Sequence, residues 1–290
     1  MDYKGNMRRI ILGMVTLVGV LMFGATSAYA GGNDFKLERL CTSTSCMGTN
    51  SVDDFKSLAR AYGSIFAPMS FHPASTIGEE GFEIAVETKL SFSTEDDSFW
   101  KATNKNNPGD QLVDSTDGKY SAPDVFSTIQ LSMRKGLPFS LEVEGNVSWL
   151  ADSEMFYVGA GLRWAITEGW WFLPDISIGA NVGTLVGASQ LSMINVNMNV
   201  TVSYTWGLGG IASITPYAGY SLLTNFSSSR PIVLYGSDEK TNEGVFDRQT
   251  QYLSRGFVGF QLKGENFIFD AEGEFGADVM SLGLKLGALF

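Results

Sequence analysis

The sequence predicts an all-β fold, namely a transmembrane antiparallel up-and-down β-barrel of about ten strands (about eight at the fewest and twelve at the most), with a short N-terminal helix. Apolar and polar residues alternate over many strand-length segments, and the segments are joined by turns and loops of alternating length. The third observation is that no apolar run after residue 30 reaches the roughly twenty residues of a spanning helix. A closed barrel is the other architecture that pairs every backbone polar group within a bilayer.

The clearest alternation runs from Ile194 to Trp206. Its even-numbered residues are apolar or aromatic, and the odd-numbered ones between them are Asn, Thr or Ser. Because successive side chains of a strand point to opposite faces, one face is apolar and the other polar. A tilted strand that crosses a bilayer needs about nine to eleven residues, whereas strands of soluble proteins are typically about five or six. Length therefore favours a membrane barrel over a soluble sandwich with an aromatic core.

The chain begins with the pattern of a secretory signal peptide. Lys4, Arg8 and Arg9 precede an apolar run over residues 10–24, and Ser27-Ala28-Tyr29-Ala30 supplies a small-x-small ending. This pattern predicts export and cleavage after Ala30. We therefore expect three parts, which are a signal peptide (1–30), a periplasmic N-terminal segment (31–80) and an outer-membrane barrel (81–290).

The N-terminal segment is expected to carry a disulfide loop and a helix. Cys41 and Cys46 are the chain's only cysteines, and such a pair in an exported protein typically forms a structural disulfide. Residues 51–54 resemble a helix start, and apolar residues at helical spacing continue to about Gly63. The helix either packs against the periplasmic end of the barrel or plugs its lumen, and the sequence leaves both arrangements open.

From Gly81 the alternation continues to the last residue, with connections that suit an outer-membrane barrel. Such barrels have short turns at the periplasmic end and longer loops outside. The connections after even-numbered strands are short: 135–138, 167–169, 207–210 and 264–266. Those after the first and seventh strands are long, at about Thr94–Ser121 and Thr224–Thr250.

The last strand, Met280 to Phe290, resembles the closing strand of bacterial outer-membrane β-barrel proteins. Phe290 is the terminal aromatic residue, and Leu286, Leu284 and Leu282 alternate before it. The resemblance covers about Gly81–Phe290. It implies a porin-like protein in the outer membrane of a Gram-negative bacterium. It also implies contact with membrane lipid and lipopolysaccharide, and recognition of Phe290 by the barrel-assembly machinery.

A second, faint similarity lies in Phe66–Ile84, where Pro73-Ala74 precedes the first strand. The segment resembles the Asn-Pro-Ala region of long-chain fatty-acid transporters. His72 stands where that motif has Asn, and this chain is much shorter than those barrels.

The charged residues suggest what the lumen contains. The chain has 31 Asp and Glu against 20 Lys and Arg, which disfavours nucleic acid as a partner because phosphate binding depends on basic residues. The residues predicted to line the lumen are Glu83, Glu87, Arg134, Glu142, Glu144, Arg163, Asp175, Arg255, Asp270, Glu272, Glu274 and Lys285. They either form a salt-bridge network that fills a narrow barrel or line a narrow, cation-preferring pore.

Composition and motifs favour a passive role over catalysis. His72, the only histidine, is expected near the periplasmic end, away from the outer rim where outer-membrane hydrolases need a base. No metal-binding cluster, phosphate loop or nucleophile elbow is recognisable, so we expect no enzyme activity, metal or cofactor. The sequence thus predicts a narrow passive channel or transporter for small or hydrophobic solutes. The alternative is a closed structural or adhesive barrel whose long extracellular loops bind a partner.

Overall fold

The computed structural model describes residues 31–41, 49–93, 97–106, 120–121, 125–170, 172–233, 241, 244–276 and 279–290. The predicted signal peptide and Cys46 lie outside these ranges. Cys41 is disulfide-bonded, and its pairing with Cys46 stays a prediction. Among the described residues, no helix is both long and apolar enough to cross a bilayer.

The described chain forms a closed antiparallel barrel of ten long strands and one short extra strand. The strands are β1 (Phe82–Ser93), β2 (Phe126–Leu137), β3 (Leu141–Leu150), β4 (Phe156–Thr167), β5 (Asp175–Val186), β6 (Leu191–Ser203), β7 (Trp206–Leu208), β8 (Ala212–Ser229), β9 (Gln249–Lys263), β10 (Phe267–Gly276) and β11 (Val279–Leu289). Consecutive strands pair with one another except β6 and β7, which both pair with β8, and β1 pairs with β11 to close the barrel. The predicted fold class is therefore confirmed.

The short strand β7 continues the sixth strand. The sequence predicts an uninterrupted strand from Ile194 to Trp206, but the structure interrupts it at Tyr204–Thr205 while the register against β8 is kept. The residue opposite Tyr204 is Pro216, which has no N–H group to complete the ladder. Only the Tyr204 N–H remains bonded there, to the Pro216 carbonyl at 3.3 Å.

The outer face of the barrel is a continuous apolar surface. Its exposed residues include Leu162, Val182, Met198, Val258, Leu282, Leu284 and Leu286. Exposed aromatic residues mark its two edges: Trp164, Tyr204, Trp206 and Phe267 at one, and Phe156, Tyr252 and Phe275 at the other. An apolar band between aromatic girdles is the surface that a bilayer requires of a barrel. The chain is therefore a β-barrel of the outer-membrane type.

The two ends of the barrel differ, and we name them by their connections. The turn end carries the short connections and the C-terminal residue Phe290, whose carbonyl accepts the Phe82 N–H at 3.1 Å. The loop end carries the connections that follow β1 and β8. Strand β8 extends to Ser229 and β9 begins at Gln249, so the second long loop is shorter at both ends than predicted.

Helix α1, Thr49–Phe66, lies inside the barrel and contacts strands β2, β6, β8, β9 and β11. Of the two arrangements left open by the sequence, the structure has the plug. The helix continues past Gly63, where the sequence predicted its end, to Phe66. Gly63 lets the helix approach the wall closely, because a Cβ there would collide with the amide of Asn225 on β8.

The N-terminal segment enters at the loop end and passes into the barrel, and the periplasmic location expected for residues 31–80 stays a prediction. The 3₁₀ turn Leu37–Leu40 packs beside a second 3₁₀ turn, Ser98–Ala102, which follows β1. The Lys36 N–H donates to the Ala102 carbonyl at 2.9 Å. The chain then passes through the lumen and reaches the turn end, where the Gly81 carbonyl accepts from Gly136 at 3.1 Å. Burial of the apolar helix face inside the barrel is the physical reason for this path.

Candidate functional site: the plugged lumen

The half of the lumen next to the loop end is filled with apolar side chains. We call this cluster the apolar seal; its largest members are Phe35, Leu37, Leu40, Phe55, Leu58, Tyr62, Phe66, Phe99, Trp100, Phe126, Leu150, Tyr157, Leu191, Met193 and Phe246. Phe55 on α1 stacks on Phe246 with ring centroids 4.6 Å apart. Trp100 stacks on Phe126 at 5.7 Å. The seal joins the helix to the wall and to the loops, and it excludes water.

The apolar seal was not predicted from the sequence, although the residues of β6 carry a signal for it. Leu191 and Met193 share the inward parity of Asn195 and Asn197, so the inward face of β6 changes from apolar to polar along its length. An inward apolar residue in a membrane barrel needs an apolar partner inside the lumen. That requirement points to an internal segment with an apolar face.

The half next to the turn end is charged. Of the twelve residues predicted to line the lumen, ten are buried there. The other two are Glu144, whose side chain is 20% exposed and lies 3.0 Å from Nε2 of His72, and Asp175, which accepts the Gly169 N–H at 3.0 Å in the β4–β5 connection. Lys89 joins the ten buried residues. We call these eleven side chains the charged lattice.

Ion pairs join eight of the eleven members of the charged lattice. The pairs are Arg134–Glu83, Arg134–Glu142, Arg163–Glu142, Lys285–Glu83, Lys285–Asp270 and Arg255–Glu274. Lys285 bridges β1 and β10, with Nζ 2.9 Å from Glu83 and 3.2 Å from Asp270. Pairing of this kind offsets the cost of removing charges from water. In the described ranges, no three His, Cys, Asp or Glu side chains are grouped as a metal site.

The charged lattice also binds the main chain of residues 67–78, which follow the helix and which we call the plug strand. Glu272 accepts the N–H groups of Ser70 at 3.0 Å and Phe71 at 2.7 Å. Lys285 Nζ donates to the Phe71 carbonyl at 2.6 Å. Both polar groups of Phe71 are thus held by the wall.

Further along the plug strand, side chains of strands β3, β4 and β6 bind its main chain. Arg163 donates to the carbonyls of Pro73 and, at 3.0 Å, Ser75. Glu142 accepts the Ile77 N–H at 2.6 Å, and Ser203 Oγ accepts the Ala74 N–H at 2.9 Å. Several residues predicted to line the lumen therefore bind protein backbone.

The wall also caps the C-terminal end of helix α1. Lys89 Nζ donates to the carbonyls of Ser64 at 2.9 Å and Ala67 at 2.8 Å. Asn195 Nδ2 donates to the Gly63 carbonyl at 3.1 Å. The last carbonyls of a helix lack partners within it, and a cation there also interacts favourably with the helix dipole. The polar inward residues of β1 and β6 thus complete the fold of the plug.

Two spaces adjoin the plug strand in the described part of the turn-end half. A cavity of about 30 Å³ lies between Met69 of the plug strand and Gly161, Gly179, Asn181 and Asn199 of the wall. Its volume suits about one or two water molecules. A wider vestibule of about 960 Å³ opens at the turn end, lined in part by Ser75, Ile77, Ile211, Lys263 and Phe267. The vestibule ends at the plug strand.

No protein-family profile matches the chain, and no curated protein is significantly similar to it. Solved structures to which the chain is similar include the following three. The β domain of the Bordetella autotransporter BrkA is 7% identical over 73% of this chain and 99% of that chain, with a TM-score of 0.41. An outer-membrane channel from Pseudomonas putida F1 is 10% identical over 77% of this chain and 99% of that chain, with a TM-score of 0.35. The attachment invasion locus protein Ail of Yersinia pestis is 14% identical over 73% of this chain and 99% of that chain, with a TM-score of 0.27.

Proposed function

We propose that the protein is a gated narrow channel of the bacterial outer membrane, closed at rest by its own N-terminal segment. Because the two halves of the lumen lie in series, conduction of small solutes requires the plug strand to leave the turn-end half and helix α1 to move within the apolar seal. The observation that carries this proposal is the set of bonds between the charged lattice and the plug main chain. Water can replace each of those bonds, because it donates to carboxylates and accepts from ammonium and guanidinium groups.

The lumen that a displaced plug strand would leave is polar and acidic. Seven inward carboxyl groups there (Glu83, Glu87, Glu142, Glu144, Asp270, Glu272 and Glu274) face five basic groups (Lys89, Arg134, Arg163, Arg255 and Lys285). A ten-stranded barrel is wider than the eight-stranded barrels that side chains alone nearly fill. The proposal therefore includes a preference for cations over anions.

A second candidate function is a permanently closed barrel that acts through its loop end as an adhesin. The apolar seal favours this candidate, because it fixes helix α1 to the wall and to both 3₁₀ turns. Removing the helix from the seal would expose large aromatic side chains to water, which opposes opening of that half. On either proposal, the outer face meets lipid and lipopolysaccharide, and the barrel-assembly machinery recognises Phe290.

Single-channel recording in planar bilayers separates the two candidates. We compare the wild-type protein with Glu272→Gln, which loses the carboxylate that holds Ser70 and Phe71. Glu274→Gln is the matched control, because Glu274 is also buried on β10 but pairs with Arg255. A gated channel predicts rare openings in the wild type and control, and frequent cation-selective openings in Glu272→Gln. Silence of all three folded proteins, and of a folded protein lacking residues 31–75, would refute the channel.

A further inference from the structure

The start of the N-terminal segment lies among carboxyl groups at the loop end. The Gly31 nitrogen is 2.7 Å from Oδ2 of Asp34, and the Gly32 nitrogen is 2.9 Å from Oδ2 of Asp152. Glu154 donates its N–H to Oδ1 of Asp34 at 3.0 Å and so orients that carboxyl. Burial raises the pKa of Asp34, and the Glu154 and Asp152 carboxyls raise it further, against the lowering effect of the Glu154 and Gly31 N–H groups. A positive charge at this position would offset these effects.

The backbone around Gly31 leaves no room for a side chain at that residue. A Cβ at Gly31 would collide with the Asp152 carbonyl, and a Cβ at Gly32 would lie 2.7 Å from Asp152 Oδ2. The carbonyls are also held, since Asn104 Nδ2 donates to Gly31 at 3.0 Å and the Lys105 N–H donates to Gly32 at 2.9 Å. The loop-end residues Asp34, Asn104 and Asp152, which we call the rim, therefore bind the backbone of Gly31 and Gly32, and the Gly31 nitrogen faces the Asp34 carboxylate.

We propose that Gly31 is the mature N-terminus and that its α-ammonium group forms an ion pair with Asp34 that latches the plug to the loop end. Water and a signal peptidase of the host hydrolyse the amide bond between Ala30 and Gly31. Ala30 keeps the new carboxylate, and Gly31 gains the amine, which is protonated at neutral pH. The Ala28-Tyr29-Ala30 sequence has the small residues that such peptidases require.

The latch connects directly to the apolar seal. The Asn33 carbonyl, two residues from Gly31, accepts the hydroxyl hydrogen of Tyr62 on helix α1 at 2.6 Å. The Asn33 N–H donates to the Asp152 carbonyl at 3.0 Å. The ion pair then fixes the free end of the plug on the loop rim.

The test is the acetylation rate of the N-terminal amine in protein purified, folded, from bacterial outer membranes. Mass spectrometry of the N-terminal peptide gives both its first residue and its reaction with acetyl-N-hydroxysuccinimide at neutral pH. We expect a peptide that begins at Gly31 and an amine whose pKa lies above that of a free peptide. Asp34→Asn should accelerate acetylation about tenfold, since one pKa unit changes the reactive neutral fraction tenfold. Asp53→Asn, which removes an exposed carboxylate on α1, should leave the rate unchanged.

A mature chain that begins elsewhere would overturn the proposal, and so would equal rates in wild type and Asp34→Asn. Heat-dependent gel mobility shows whether Asp34→Asn folds. If it does not fold, a second variant tests the same ion pair. One alanine inserted after Ala30 keeps every rim side chain but moves the amine by up to about 3.8 Å. The amine of this variant should react as fast as that of Asp34→Asn, and a rate equal to the wild-type rate contradicts the latch.

Discussion

The two halves of the lumen hold the same N-terminal segment by different forces. In the loop-end half, helix α1 is held by burial of aromatic and aliphatic side chains, which is strong, non-directional and dry. In the turn-end half, the plug strand is held by hydrogen bonds and charge-assisted contacts to its main chain. Helix α1 is therefore the anchored part of the segment, whereas the plug strand is the part whose bonds to the wall water can replace. A channel would have to open both halves, of which only the turn-end half is held by these replaceable bonds.

The largest effect is expected from a break in the apolar seal. Phe55→Ala removes a fully buried ring that stacks on Phe246, and such substitutions cost about 3 to 5 kcal/mol. Urea unfolding of the detergent-folded protein measures this loss. Leu286→Ala, on the lipid-facing side, is the control for side-chain size, and an equal effect of both variants would mean that the seal contributes no special stability.

Glu272→Gln should loosen the turn-end half and leave the seal intact. The buried N–H groups of Ser70 and Phe71 lose a charged acceptor, a change worth about 1.5 to 3 kcal/mol. Hydrogen exchange should therefore quicken at these two amides but not in helix α1. Equally faster hydrogen exchange in the plug strand and in helix α1 would show that the two halves open together. Glu274→Gln is the control, and its exchange rates give the baseline for both regions.

A smaller effect is expected from crowding the plug strand. A Cβ at Gly283 on β11 would meet the ring of Phe71 and lie 2.6 Å from Met69 Sδ, so Gly283→Ala should destabilise the turn-end half by about 1 to 3 kcal/mol. Gly273→Ala on β10 is the matched control, because its Cβ would make only ordinary contacts of 3.5 Å or more. The same exchange assay tests the pair, and slower exchange in Gly283→Ala would contradict the close packing.

The smallest effect is predicted for Tyr62→Phe. This change keeps the ring contacts with Phe35 and Phe126 but removes the hydrogen bond to the Asn33 carbonyl. Loss of one such bond costs about 0.5 to 1.5 kcal/mol. Exchange at the amides of residues 31–36 should rise about threefold to tenfold, and unchanged exchange would show that helix and latch are not coupled.

The barrel could be predicted from the sequence because its information lies in side-chain periodicity. The Ile194–Trp206 alternation identifies a strand with two different faces, and the ten-strand closure confirms that reading. The break opposite Pro216 depends on a pairing between residues that are distant in sequence, so local pattern could not reveal it.

The lumen was harder to predict, because its key contacts are made to main-chain atoms. The wall binds the N–H groups of Phe71 and Ile77 and the carbonyl of Pro73, and these are main-chain groups that other residues would also offer. Nothing in those side chains marks them as bound. The sequence therefore indicated which strand residues face inward but not what they hold.

The most direct test of a gated plug is the conductance of an Ala74→Cys/Ser203→Cys protein that also carries Glu272→Gln. The Ala74 N–H lies 2.9 Å from Ser203 Oγ, which places the two positions close enough to test a disulfide between plug strand and wall. Glu272→Gln alone, treated with the same reductant, controls for the native disulfide at Cys41. We predict silence in the oxidised protein and cation-selective openings after reduction. Equal conduction in both states would contradict closure by the plug strand.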